Sequence, residues 1–345
     1  MTPASAFERD IEEEPDALRA LAASHLPAGL TDINLDDYER VVLTGMGASH
    51  VAGHPTWTSL LREGRPAWWV SAAQLLAEPE LVTAGSLLWV TSQSGESGEV
   101  VALLERQRQA KRRPKTLIAT TNDPASNLGR AADILVGLHF GDEAAVSTKS
   151  YIATLAAHER ALGALHKQDD ARLVDQVLAA ADELATFTPE LAPVISAGLK
   201  QPSPRFAFVA NSSGLPTALV GALLCKEVAK VPAEGYLAGE FRHGPLELAG
   251  PGLLAVLVGS GDDDSSLAAL GHELVRSGSL VMLVDTGVRA EDYVPAWEVT
   301  TGGSSGLGRL VCGAKLIQLL NAELAKALGV EPGHFRFGQK ITASI

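Results

Sequence analysis

Between Arg40 and Val299 the chain writes one pattern twice: a short apolar run, a turn, then a helical stretch. In the first half the runs are residues 41–44, 68–70, 87–90, 117–120 and 134–137, and a long helix over about 149–165 closes the set. In the second half they are residues 206–209, 253–258, 280–284 and 297–299, with a final helix over about 307–328. Strands that alternate with helices form parallel sheets with helices on both faces, so the pattern predicts an α/β chain with two doubly wound sheets. Two similar halves read as copies of one unit. The expected organisation is a helical segment over 1–30, a first domain over 31–168, a helical linker over 169–200, a second domain over 201–329 and a tail over 330–345. Pro202 and Pro204 punctuate the second boundary, and the tail holds Pro332, Gly333 and Gly338 without clear periodicity.

A chain of 345 residues supplies two cores of ordinary size. Its net charge of −13 argues against a nucleic-acid binder, which needs a basic face. The one basic cluster, Lys111-Arg112-Arg113 with Lys115, reads as a solvated connection. No apolar run approaches the roughly 20 residues that span a bilayer, and the first residues lack the basic and apolar regions of a secretory signal. The chain is therefore expected in the cytoplasm, away from membranes. Its two cysteines, Cys225 and Cys312, exclude a disulfide framework and lack metal-ligand spacing. His50 and His54 stand four apart on a helix, but no third ligand is evident, so no metal is expected. Gly302-Gly303-Ser304-Ser305-Gly306 lacks the strand–turn–helix context of a nucleophile loop.

Chemistry is expected where the strands end. Ser92-Gln93-Ser94-Gly95-Glu96-Ser97 follows the third strand and opens a helix, whose exposed N–H groups and positive end suit a phosphate. The same residues also make an ordinary N-cap. In such an acidic chain an anionic substrate has to be held locally, by backbone N–H groups. A second stretch is residues 220–248, VGALLCKEVAKVPAEGYLAGEFRHGPLEL. It begins as a helix carrying Lys226 and Glu227, is ended by Pro232, and passes through a short extended piece to His243 between glycines. A carboxylate and an imidazole in one pocket are the equipment for moving protons on a sugar. Taken alone, a Lys-Glu pair is more often a solvated face.

Residues 226–248, KEVAKVPAEGYLAGEFRHGPLEL, resemble the signature of the isomerase half of glucosamine-6-phosphate synthase and its relatives, the double-SIS-domain phosphosugar isomerases, deaminases and deglycases. SQSGES resembles the family's phosphate loop SQSGET, with Ser97 in place of threonine. Gly47-Ala48-Ser49 resembles the first-strand loop and Ser147-Thr148-Lys149 the STK motif, and FERDIEEEPDAL resembles the helix that opens the isomerase half. The resemblance implies two tandem SIS domains, each a flavodoxin-like parallel sheet, with the tail over the site. It implies phosphosugar binding by Ser49, Ser92, Gln93, Ser94, Ser97 and Ser147. It implies Glu227 as the group that moves hydrogen between C1 and C2. It implies His243 as the ring-opening group, donated by the neighbouring subunit of a homodimer. It implies Lys340 as the lysine that forms a Schiff base with a ketose. No cofactor is implied.

Two departures bear on the substrate. Leu224 stands where the synthase has a second lysine, and the glutaminase half with its N-terminal cysteine is unmatched, residue 2 being Thr2. Drawing ammonia from glutamine by that route is therefore not expected. The expected reaction is aldose–ketose isomerisation of an amino sugar 6-phosphate with loss of ammonia, as in the glucosamine-6-phosphate deaminases. The alternative is a deglycase acting on a 6-phosphorylated fructosamine. A sugar-phosphate-sensing protein, from another functional class, is disfavoured by the retained Glu227 and His243.

Overall fold

The computed structural model describes residues 3–109, 113–144, 146–259, 265–285, 297–303 and 306–343. Lys111, Arg112, Ser304 and Ser305, which belong to the basic cluster and the glycine-rich segment considered above, lie outside these residues. The chain divides into two compact units, and each borrows from distant parts of the sequence. One comprises Glu13–Glu143, Ser147–Asp182 and Arg336–Ile345; the other comprises Met1–Glu12, Ala144–Val146 and Glu183–Phe335.

The first of these holds β1 (Arg40–Gly45), β2 (Ala67–Trp69), β3 (Ser86–Thr91), β4 (Thr116–Thr121) and β5 (Ile134–Gly137). All pair in parallel, in the order β2-β1-β3-β4-β5. The run SLLWVT of β3 is buried at every position, because helices cover both faces of the sheet. On one face Val42, Leu88, Val90, Leu117 and Ala119 form a core with Leu75, Val100, Leu103 and Leu128 from the helices Ala72–Ala77, Gly98–Gln109 and Asn127–Ala131. The helix Lys149–Leu165 is buried at all but one position, Glu159, which explains why its sequence shows little polar face. Two buried cations in it reach carboxylates at the surface: Lys149 pairs with Glu13, and Arg160 bonds both oxygens of Asp170 at 2.9 Å.

The other unit holds β6 (Arg205–Ala210), β7 (Ala233–Leu237), β8 (Leu253–Val258), β9 (Leu280–Val284) and β10 (Trp297–Val299), in the order β10-β9-β8-β6-β7 and again parallel. Numbered within its own unit, each sheet is the flavodoxin-like 2-1-3-4-5, so the duplication expected from the sequence is present. The extended piece after Pro232 is the strand β7, at the sheet edge, bringing the second set to five. The preceding helix ends earlier than Pro232 requires. It runs Leu215–Leu224, widens into a π turn over Cys225–Ala229, and stops at left-handed Lys230 (φ 61°). The region 169–200 is two helices, Asp170–Thr186 and Ala192–Leu199, the second opened by Pro193. Among the described residues no helix is long and apolar enough to cross a membrane.

Candidate active site

In each sheet the first strand sends its chain to one side and the third strand lies on the other. Ligands of doubly wound sheets bind at this switch point, outside the carboxyl ends of the strands. In the first unit β1 and β3 are adjacent up to Gly45 and Thr91, so the loops carrying Ser49 and residues 92–97 emerge side by side. Ser49 is half-buried on the short helix Gly47–Ala52.

The serine loop is fixed by its own hydrogen bonds. Ser92 is buried; its Oγ accepts from the Gly95 N–H at 3.1 Å and lies 3.1 Å from Ser97 Oγ. Ser94 Oγ accepts from the Glu96 N–H at 3.2 Å. The Gln93 carbonyl accepts from Thr121 Oγ1 at 3.2 Å and from the Asn122 N–H at 3.0 Å. Gly95 has φ +66°, and a Cβ there would stand 2.0 Å from Ser126 Oγ, so the position excludes a side chain. The one acid in the loop faces away: Glu96 accepts from the backbone and side-chain nitrogens of Asn127 at 2.6 and 2.7 Å. The loop is thus a rigid turn with its carboxylate already committed elsewhere.

The tail meets the chain just beyond this loop. The N–H of Gly98, first residue of the helix Gly98–Gln109, donates to the Thr342 carbonyl at 2.9 Å. Lys340 Nζ donates to the Glu143 carboxylate. Glu143 has a side chain with no exposed surface. Its Oε1 also accepts from the Thr148 N–H (2.8 Å), Thr148 Oγ1 (2.9 Å) and the Ser150 N–H (2.9 Å), and its Oε2 from Ser150 Oγ (2.7 Å). Ser147 Oγ is 2.7 Å from Ser150 Oγ. The structure therefore links Lys340 and Ser147 through Glu143, and links the tail to the start of the helix behind Ser97. Lys149, the third residue of the STK run, is buried and paired with exposed Glu13. Sequence reasoning passed over Glu143: one acid in Gly141-Asp142-Glu143 carries no local signal.

Behind the loop stands a buried aromatic wall. His158 bonds Thr91 Oγ1 through Nε2 at 2.8 Å and Thr56 Oγ1 through Nδ1 at 3.1 Å, and stacks on Trp89 with centroids 4.6 Å apart. His50 stacks on Trp69 and His54 packs edge-on to it. Burial pushes His50 and His54 down to about 4 and His158 to about 3, so all three imidazoles are neutral at pH 7. Among the described residues no cluster of three or more His, Cys, Asp or Glu has the arrangement to hold a metal. Unfolded histidines titrate near 6.5, above these values, so the stability they contribute is intact above pH ~6.5 and is lost as pH falls. By pH 5 the two most buried, His54 and His158, have cost on the order of 4 kcal/mol. Urea midpoints measured from pH 7.5 to 5 are expected to fall accordingly; a flat profile would contradict these neutral histidines.

In the second unit Glu227 is half-buried on the π turn, a feature that recurs at functional sites because it re-aims side chains from a helix. Its neighbour Lys226 turns away, bonding the Ala233 carbonyl at 2.9 Å. His243 is exposed at the end of the helix Ala238–Arg242, between buried Phe241 and Gly244 at φ +128°. The two candidates sit on different elements of this unit.

Comparison with known proteins bears on the fold and the family. Glutamine–fructose-6-phosphate aminotransferase (isomerizing) of Zymomonas mobilis is 29% identical over 269 residues, covering 74% of this chain and 43% of that protein. The chain spans about half the length of the curated relatives it matches. The C-terminal domain of glucosamine-fructose-6-phosphate aminotransferase from Francisella tularensis superposes with a TM-score of 0.81 at 21% identity, over 96% of this chain and 99% of that one. Glucosamine-6-phosphate deaminase from Thermotoga maritima does so with a TM-score of 0.74 at 19% identity, over 98% and 99%. Residues 34–162 and 201–290 both match the SIS domain. With well over half its length in two such matches, one per sheet, the chain belongs to the SIS-domain family.

Proposed function

We propose that the protein is a phosphosugar isomerase that acts on an amino sugar 6-phosphate, giving a ketose 6-phosphate and ammonia. The observation that carries this reading is the serine loop at the switch point, with Lys340 held by Glu143 on a tail whose Thr342 carbonyl meets Gly98 just beyond that loop. Ser92, Gln93, Ser94 and Ser97 supply hydroxyls and backbone donors for the phosphate, and Ser49 and Ser147 flank the sugar. His243 assists ring opening. Glu227 takes the proton from C2 of the open aldose, leaving an enolamine, and returns a proton at C1. The resulting C2 imine is hydrolysed by water to the ketose, releasing ammonia. Lys340 is the amine that engages the ketose carbonyl. The exposure of His243 at a helix end supports its donation to a second copy of the chain in a homodimer.

The test is a panel of 6-phosphorylated amino sugars and fructosamines, assayed for ammonia and for free amino acid. Ammonia from the amino sugar phosphates supports the proposal; amino acid from the fructosamine phosphates alone moves the assignment to a deglycase. Ser92→Ala with Ser94→Ala is expected to raise KM for the phosphosugar 10-fold or more, since each bond to a charged group is worth roughly 1.5–3 kcal/mol. An unchanged preference for phosphorylated over unphosphorylated sugar in this variant places the phosphate elsewhere.

A further inference from the structure

The tail has little to hold it in place by burial. Arg336, Phe337, Gly338 and Gln339 are exposed, and so are Ile341 and Thr342. Phe337 is wholly so, at 100%. Lys340 is the partly buried residue among them, and its ammonium reaches a carboxylate with no exposed surface. Glu143 is in turn gripped by two N–H and two hydroxyl groups from Thr148 and Ser150. Four donors fix the carboxylate in one orientation, and its Oε2 is the oxygen that meets Lys340.

The geometry points to Glu143 as the positioning residue of the site: with Thr148 and Ser150 it forms a receptor for Lys340 that docks the tail just beyond the serine loop. This deepens the functional reading, and its catalytic consequence rests on Lys340 being the amine that meets the sugar carbonyl; the docking does not. Glu143 touches no substrate atom in this scheme. It acts by keeping one lysine nitrogen, and with it the Thr342 carbonyl on Gly98, in a single place. Pre-ordering a group in this way lowers the entropic cost of bringing it to the reacting atom.

The experiment uses the full chain without ligand, followed by hydrogen exchange at the Gly98 amide, which donates to the Thr342 carbonyl, and by limited proteolysis of the tail. Glu143→Gln and Lys340→Met are each expected to speed exchange there about 10-fold or more, the loss of one charged hydrogen bond. The double variant is expected to show no further change, because both substitutions break the same contact. Lys340→Met leaves the Thr148–Ser150 receptor intact, so it reports docking even where Glu143→Gln is poorly folded. In a second readout the protein is incubated with a ketose 6-phosphate and borohydride, and covalent capture is followed by intact mass. Glu143→Gln is expected to slow capture about 10-fold with a smaller change in KM, and Glu143→Asp to restore part of it. Gly98 exchange and tail proteolysis unchanged in both single variants overturn the proposal. Exchange that follows Glu143 while the parent protein captures no sugar at all upholds the docking and removes Lys340 from the chemistry.

Discussion

Glu227→Gln is expected to lower kcat ~10²–10⁴-fold while leaving sugar-phosphate binding in place, the cost of removing a general base without changing its shape. The side chain is half-buried on a turn whose π geometry ends at Lys230, and the amide keeps its size. Glutamine has no basicity to offer C2, so the loss falls on turnover and not on KM. Phosphosugar affinity, read by calorimetry, then stays near that of the parent. Near-normal turnover would remove Glu227 from the chemistry. The same variant tests whether His243 is shared between chains. Co-expressed with His243→Ala, it forms mixed dimers in which one site takes both defects and the other takes neither. Random pairing makes about half the dimers mixed, so roughly a quarter of parental activity returns if His243 works in the neighbour's site. Mixed dimers purified through two different tags and found inactive would place both residues in one chain's site.

Removing residues 337–345 is expected to give a folded, inactive protein. The tail contributes little apolar burial, so the stability lost is about that of one charged hydrogen bond, roughly 1.5–3 kcal/mol. Glu143 is not stranded by the truncation, because Thr148 and Ser150 still satisfy it. Activity, by contrast, loses Lys340 and the segment that meets the chain just beyond the serine loop, and is expected to fall by at least the ~10²-fold of a lost catalytic group. Circular dichroism and a melting curve check the first half of this statement, and the ammonia assay the second. Full activity in the truncated protein would make Lys340 irrelevant to catalysis.

Most strands could be read from the sequence because a parallel sheet covered on both faces demands unbroken apolar runs, and LLAVLV over β8 or SLLWVT over β3 is such a run, too short for a buried helix. The strand that failed this test, β7, is an edge strand with the sequence AEGYL. Its Gly235 answers to a neighbour and not to strand propensity: a Cβ there would stand 2.8 Å from the Ala218 carbonyl. The π turn was equally invisible, since CKEVA fits an α-helix as well and only the left-handed Lys230 after it reveals the change of pitch. At the candidate site, the serine loop announced itself by composition and position. Glu143 did not. Its importance arises from what reaches it, and Lys340 is 197 residues away.

That separation has a consequence for how the protein is made. The sheet β1–β5 and the serine loop precede the second sheet in the chain and have their own core, yet the unit they form also contains Arg336–Ile345. The second sheet is synthesised between them. A nascent chain therefore carries a folded first sheet with Glu143 already gripped by Thr148 and Ser150, and no lysine to receive, for the time taken to translate nearly 200 more residues. In the proposed scheme the amine of Lys340 and the serine loop come together only once residues 336–343 have been made, so a partly translated chain is expected to be inactive.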